Sequence, residues 1–189
     1  MNVHLSWDLF ILVFFAVVVA YSFIIGRNQT LKVILGTYVS ILCADGIGNL
    51  FAKYLAPSQP FLRLMKLFAI GSEDQAVIFF KVLIFLVLIV LIAVRGMFQV
   101  DSDEGGSLSI RLIIQFLLGL MSAGLMMSTV LVFTSGASLI GTDITGGNIL
   151  LEVYNDSRLV RIMVDFANIW FFLPGLAFIL LGILHKKSA

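Results

Sequence analysis

From Leu9 to Ile25 the chain carries no charge, from Val82 to Val94 every residue is apolar, and from Leu112 to Gly141 there is again no formal charge. A chain of 189 residues has no soluble core large enough to hide that much apolar surface. Hydrophobic residues make up 60% of it, against roughly 45–50% in soluble domains. Charged residues are 12%, about half the usual share. The solvent these residues call for is hydrocarbon. The expected fold is all-α, a polytopic transmembrane helical bundle forming one membrane domain. A spanning helix needs roughly 20 apolar residues, so the length admits four to six.

The first span is expected at about 6–25, with Trp7 and Tyr21 at interfacial positions. A short polar turn, Gly26-Arg27-Asn28-Gln29, forces the next span, about 30–54, to run antiparallel to it. Pro57 and Pro60 end that helix. Residues 61–70 are too short to span. With Arg63 and Lys66 on one face they read as an interfacial helix. Ser72 and Gln75 form a capping box for a third span at 73–98, where Lys81 can snorkel toward the interface. After the hydrophilic Asp101–Gly106 connector comes a fourth span at 108–133, then a Gly/Ser/Thr-rich loop and a short helix at about 148–154. Asp156 or Ser157 can cap the last helix. It starts near Arg158, is amphipathic to Asp165, and spans at about 166–184 with a kink at Pro174. The count is five spans, or four if the last helix is only half inserted.

The net charge of +1 gives no global field for nucleic acid or acidic substrates. Basic–aromatic interleaving for nucleic acid is missing as well. No Lys or Arg precedes the first apolar run and no small-residue cleavage site follows it, so the first segment is expected to be retained. Cys43 has no partner in the chain and reads as a small buried hydrophobe. Five spans place Arg27, Lys32, Arg95, Arg111, Lys186 and Lys187 on one side. Lys53, Arg63, Lys66, Arg158 and Arg161 fall on the other. The terminal lysine pair and the short Arg27 loop favour an outer N-terminus and an inner C-terminus.

Two stripes of small residues stand out. Gly36, Ser40, Ala44 and Gly48 recur at every fourth position, and Gly119, Ala123 and Met127 share a face flanked by Ser122 and Gly124. In lipid such stripes let two backbones approach closely. Asp45 is the residue with chemical potential. A carboxylate at membrane depth costs roughly 2.5–3.5 kcal/mol on insertion scales, which makes it a functional candidate by default. An intramembrane ion or proton site would use Asp45 with Lys81, and Asp165 with Asn168 could extend a polar seam. The competing reading is that Asp45 pairs with Lys81 or another base, or hydrogen-bonds across helices. His4 and His185 are too far apart in sequence to make a metal site, and Asp101, Asp103 and Glu104 lack the order of a calcium loop. No metalloprotease, Walker or nucleophile-elbow motif occurs, so no catalytic residue, cofactor or metal is expected.

The opening stretch, WDLFILVFFAVVVAYSFIIGRNQTLKVILG, resembles the start of the colicin V production protein family, with Asp8, Gly26, Arg27 and Gly36 in comparable places. SIRLIIQFLLGLMSAGLMM is similar to that family's fourth span, through Arg111, Gly119, Ala123 and Gly124. The resemblance covers about residues 6–135. Gln29-Thr30 stands where the family turn has a second glycine, and the fifth span exceeds the family's usual four. The resemblance implies a bacterial inner-membrane protein linked to envelope homeostasis or export, and no mechanism, since the family has no established enzymatic activity.

The expected function is a non-enzymatic membrane scaffold or subunit. Its partners would be membrane lipid and, through the small-residue faces, a second copy or other membrane subunits. The alternative is a small ion- or proton-coupled carrier or channel lined by Asp45.

Overall fold

The structure is a computed structural model that describes residues 7–55, 58, 72–95, 108–137 and 154–186, with side chains as far as Leu180. No strand occurs among the described residues. The elements are α1 (Trp7–Tyr54), α2 (Glu73–Arg95), α3 (Leu108–Thr134), α4 (Arg158–Asp165) and α5 (Ala167–Lys186). The first three are each long and apolar enough to cross a membrane. α4 and α5, bent by 60° from one another, make a fourth candidate if taken as one broken span. The architecture is therefore all-helical and compatible with a membrane protein. The expected interfacial helix at 61–70, the Asp101–Gly106 connector and the short helix near 148–154 lie outside the described residues, apart from Tyr154.

α1 is 48 residues long. Straight, it would reach about 72 Å, more than twice the roughly 30 Å of a bilayer's hydrocarbon. It reverses at Gly26, whose φ of 79° and ψ of 173° only glycine adopts without strain. Ser22 Oγ and Thr30 Oγ1 lie 3.0 Å apart, whereas eight residues of unbroken helix would separate them by about 12 Å. The packing partners confirm the reversal. Along the first limb, Ile11 packs with Met127 and Leu131 while Ser22 sits against Gly119, so this limb runs antiparallel to α3. Along the second limb, Thr30 meets Gln115 while Asp45 meets Lys81, whose ammonium faces Phe133, so this limb runs with α3. α2 is antiparallel to the second limb, with Lys81 beside Gly48 and Ile92 beside Gly36.

The reversal leaves polar groups inside the bundle, and they satisfy one another. Gln115 Nε2 donates to Ser22 Oγ at 2.7 Å, to Thr30 Oγ1 at 3.0 Å, and to the Ser22 carbonyl. Thr30 Oγ1 also donates to the Gly26 carbonyl at 2.9 Å. Buried polar groups without partners are expensive, so this cluster works as a clasp that ties α3 to both limbs. Below it, Leu31, Ile34, Ile41, Ala44, Phe85, Leu118, Leu125 and Phe133 form the main apolar core.

Helix starts follow the expected chemistry. Ser72 Oγ accepts from the Gln75 N–H at 3.2 Å at the head of α2. Ser157 Oγ accepts from the Val160 N–H at 3.1 Å at the head of α4. Asp8 completes that cap, taking hydrogen bonds from Ser157 Oγ at 2.5 Å and the Leu159 N–H at 3.0 Å. An acid suits a helix N-terminus, and here it fastens the start of α1 to α4.

The last helix departs from expectation. It breaks at Phe166, between α4 and α5, rather than at Pro174. α4 is amphipathic, burying Val160 and Met163 and exposing Arg158 and Arg161, so it must lie along a surface. α5 is apolar and turns inward at the break. Met163 packs with Ile11, and Trp170 lies edge-on to Phe15, so α5 proceeds toward the Gly26 end. Pro174 is buried within α5 and deprives the Trp170 carbonyl of its usual donor. Close to this gap, the Tyr38 hydroxyl donates to the Phe171 carbonyl.

Gly26→Ala should lower the thermal midpoint in mild detergent, losing about 1–3 kcal/mol from the forced backbone strain. Gly46→Ala is the matched control. It lies in regular helix with nothing within 4 Å of an added Cβ, so it should be neutral or gain up to about 1 kcal/mol. Equal midpoints for the two variants would refute the turn assignment.

Candidate functional site

Asp45 and Lys81 meet inside the bundle. Lys81 Nζ lies 2.6 Å from Asp45 Oδ1, and the two side chains are 0% and 1% exposed. Lys81 is eight residues into α2, about 12 Å from its start. This overturns the snorkelling expectation, because the ammonium is drawn inward to the carboxylate instead of outward to the interface. The fit depends on Gly48, where an added Cβ would overlap the Lys81 stem. Phe133 closes the far side, its ring centroid 5.9 Å from Nζ, and Phe85 stacks edge-on against Phe133. Ile41 and Ala44 belong to the apolar core that adjoins the pair.

The physics of such a pair is two-edged. Removing two charges from water costs several kcal/mol per ion, and only close, well-shaped pairing offsets it. At 2.6 Å, with its ammonium over an aromatic face, Lys81 meets that condition. Each partner neutralises the other at a depth where neither could remain charged alone. The arrangement can hold two helices in register. Among the described residues both charged groups are shut off from the exterior.

Asp165 does not join it. Its carboxylate accepts from the Tyr154 hydroxyl at 2.9 Å on an exposed surface, and Asn168 is exposed as well. The polar seam proposed from their spacing therefore does not form, because the break at Phe166 keeps α4 at the periphery. The Asp165 hydrogen bond raises the Tyr154 phenol above its ordinary range; partial burial and the Asp165 charge add to this, and Arg161 opposes it.

The small-residue positions all pack within the chain. Gly36 faces Ile92, Gly48 faces Lys81, and Ser40 and Ala44 are fully buried. Gly119 faces Ser22 and the Val19 backbone, Ala123 is fully buried, and Gly124 is filled by the Trp170 ring. The expected close approach occurs, but these faces are spent on intrachain packing and are not open to a second copy. Cys43 is exposed, not buried, because it falls on the outward side of the second limb. Among the described residues no cluster of three or more His, Cys, Asp or Glu could hold a metal. His4, Asp101, Asp103 and Glu104 lie outside the described residues.

Two features escaped the sequence reading: the Gln115–Ser22–Thr30 clasp and the Asp8 cap on α4. The signal for the first is present in the chain, as three hydrogen-bonding residues in apolar surroundings, two of them four positions either side of Gly26. The second pairs residues about 150 positions apart and leaves no local signal.

Comparison with known proteins finds no matching family model, no matching curated protein and no matching solved structure.

Lys81→Met alone leaves a buried carboxylate and should cost about 3–5 kcal/mol, as should Asp45→Leu alone. The double variant replaces the pair by apolar side chains and should recover most of that loss. Denaturation of all four proteins in the same detergent tests it. A double variant no more stable than the singles would contradict the pairing.

Proposed function

We propose that this chain is a non-enzymatic integral membrane subunit that crosses the bilayer five times. The two limbs of α1, then α2, α3 and α5 are the crossings, and α4 lies at one surface. The reading rests on one observation above all: the charges at depth, Asp45 and Lys81, neutralise each other in a sealed site. A carrier or channel needs a polar group that can reach water, and that pair is committed to holding α2 against α1.

The orientation follows the Lys and Arg residues at the two ends. Arg27, Lys32, Arg95 and Arg111 fall at the Gly26 end, against Lys53, Arg158 and Arg161 among the described residues at the opposite end, and the short Arg27 loop and the terminal lysine pair weigh on the same side. The positive-inside rule then puts the Gly26 end in the cytoplasm and the start of α1 outside. Placement in a bacterial inner membrane, and a task in envelope homeostasis or export, belong to the same proposal. They rest on Asp8, Gly26, Arg27, Gly36, Arg111, Gly119, Ala123 and Gly124, which carry the resemblance to the colicin V production protein family. Since the small-residue faces are occupied, a second copy or another membrane subunit must dock on the outward apolar faces or on the connections between helices.

Reconstituted in liposomes loaded with a pH-sensitive dye, the protein should pass no protons under an imposed gradient, and neither should Asp45→Asn. In mild detergent a second chain should co-purify in fixed stoichiometry, and the Asp45→Leu/Lys81→Met pair should leave that stoichiometry unchanged. Gradient-driven flux that disappears in Asp45→Asn would replace this reading with the carrier.

A further inference from the structure

Pro174 leaves α5 one rung short in its own hydrogen-bond ladder. It has no N–H, so the Trp170 carbonyl receives nothing from the next turn of its helix. At the adjacent rung the Tyr38 hydroxyl reaches in from the second limb of α1. It donates to the Phe171 carbonyl and takes the Gly175 N–H. Those two backbone groups are the pair that bond to each other in regular helix. A hydroxyl from another helix thus engages both ends of the rung beside the missing one. Gly175 is what admits it: a Cβ there would stand 3.3 Å from the Tyr38 oxygen, a tight contact.

The two halves of α5 are held unequally. Before Pro174, Trp170 is wedged against Gly124 and lies edge-on to Phe15, and Phe171 packs on the main core. After Pro174, Phe178 packs on that core, while Leu176, Ile179 and Leu180 are exposed. Helices kink at proline and where a side chain inserts into the ladder. Both causes coincide here, at the border between a wedged half and a lightly held one. A backbone group freed in hydrocarbon has no water to turn to, so a neighbouring hydroxyl weighs heavily on which shape the joint keeps.

We infer that α5 is hinged at Pro174 and that the Tyr38 hydroxyl is the latch, holding the half beyond Pro174 against the bundle. Latched, Phe178 rests on the core. Unlatched, the outer half pivots and draws Phe178 away, while Trp170 in its Gly124 notch keeps the inner half in place. The moving part is the end of α5 that runs toward Gly26. This device goes beyond the subunit reading and does not depend on it, since a subunit and a carrier could both contain it.

Spin labels test it, because Cys43 is the chain's one cysteine and is exposed. A second label on Ile179→Cys reports the outer half of α5, and one on Phe172→Cys reports the inner half. Both positions are exposed. Ile179 stands about 7.5 Å beyond Pro174, so a change of about 20° at the joint moves its label by about 2.5 Å. Distances from Cys43 are read by pulsed EPR in mild detergent. Tyr38→Phe, which keeps the ring and removes the hydroxyl, should widen the Cys43–Ile179→Cys distribution by at least that amount. The Cys43–Phe172→Cys distribution should stay as it is. Adding Pro174→Ala, which restores the missing rung, should narrow the first distribution again. Should Tyr38→Phe fail to fold, Gly175→Val displaces the hydroxyl from the α5 side and should give the same pattern. An unchanged outer-half distribution in a folded latch variant overturns the inference, because the hydroxyl then latches nothing. Equal widening of both distributions does so too, since α5 then loosens as a whole. Widening that Pro174→Ala leaves in place also overturns it, because the proline is then not the joint.

Discussion

Apolar helices in hydrocarbon slide past one another at little cost, because a leucine against lipid and a leucine against leucine are nearly equivalent. Something must fix their register, and here it is the contact between Asp45 and Lys81. That single ion pair sets how far along α1 the helix α2 sits. Once it is fixed, Gly48 meets the Lys81 stem and Gly36 meets Ile92, so the small residues fall where the backbones come closest. Phe133 then reaches the ammonium from α3, bringing the third helix to the same level. The pair is consequently a statement about geometry more than about net stability, since well-packed apolar side chains often do as well energetically.

The reversal at Gly26 is the second constraint, and it acts on topology instead of register. It turns one long helix into two antiparallel limbs that flank α3 in opposite directions. The polar side chains needed to close that turn, Ser22 and Thr30, would be a liability in lipid on their own. Gln115 arrives from α3 with a donor amide and removes the liability. The turn and the helix that covers it therefore depend on each other: without α3 the hydroxyls face hydrocarbon, and without the turn Gln115 has nothing to bind.

Much of this was legible in the chain. Hydropathy located the helices to within a few residues, because uninterrupted apolar runs leave no other solvent or structure. Ser72 and Ser157 announced helix starts through local chemistry that operates within three residues. Gly36 and Gly48 announced close packing through their spacing, although not which helix would approach. The failures share a cause. Lys81 could snorkel or pair, and the choice depended on where Asp45 lay in space. Cys43 could face inward or outward, and the choice depended on the rotation of the second limb. Asp165 and Asn168 shared a helical face with nothing to say that the helix would break at Phe166. Local signals fix an element's existence, while its rotation and neighbours come from contacts between residues far apart in sequence.

One consequence concerns the surface of the bundle. Intrachain packing consumes both small-residue stripes, both charges at depth and the polar clasp. What remains outward is broad and apolar, with exposed side chains such as Leu86, Val90 and Val94 on α2. A surface of that kind discriminates poorly, because any apolar neighbour, lipid or protein, satisfies it. Specificity must come from places where apolar surface meets charge. The Gly26 end carries Arg27, Lys32, Arg95 and Arg111 at the margin of that apolar surface. The Asp8–Ser157–Leu159 contact supplies a fixed corner at the other end, where α4 is held against the start of α1. On the proposed subunit reading, recognition falls to the two ends of the bundle, and the long apolar flanks between them keep those ends at a set distance across the hydrocarbon.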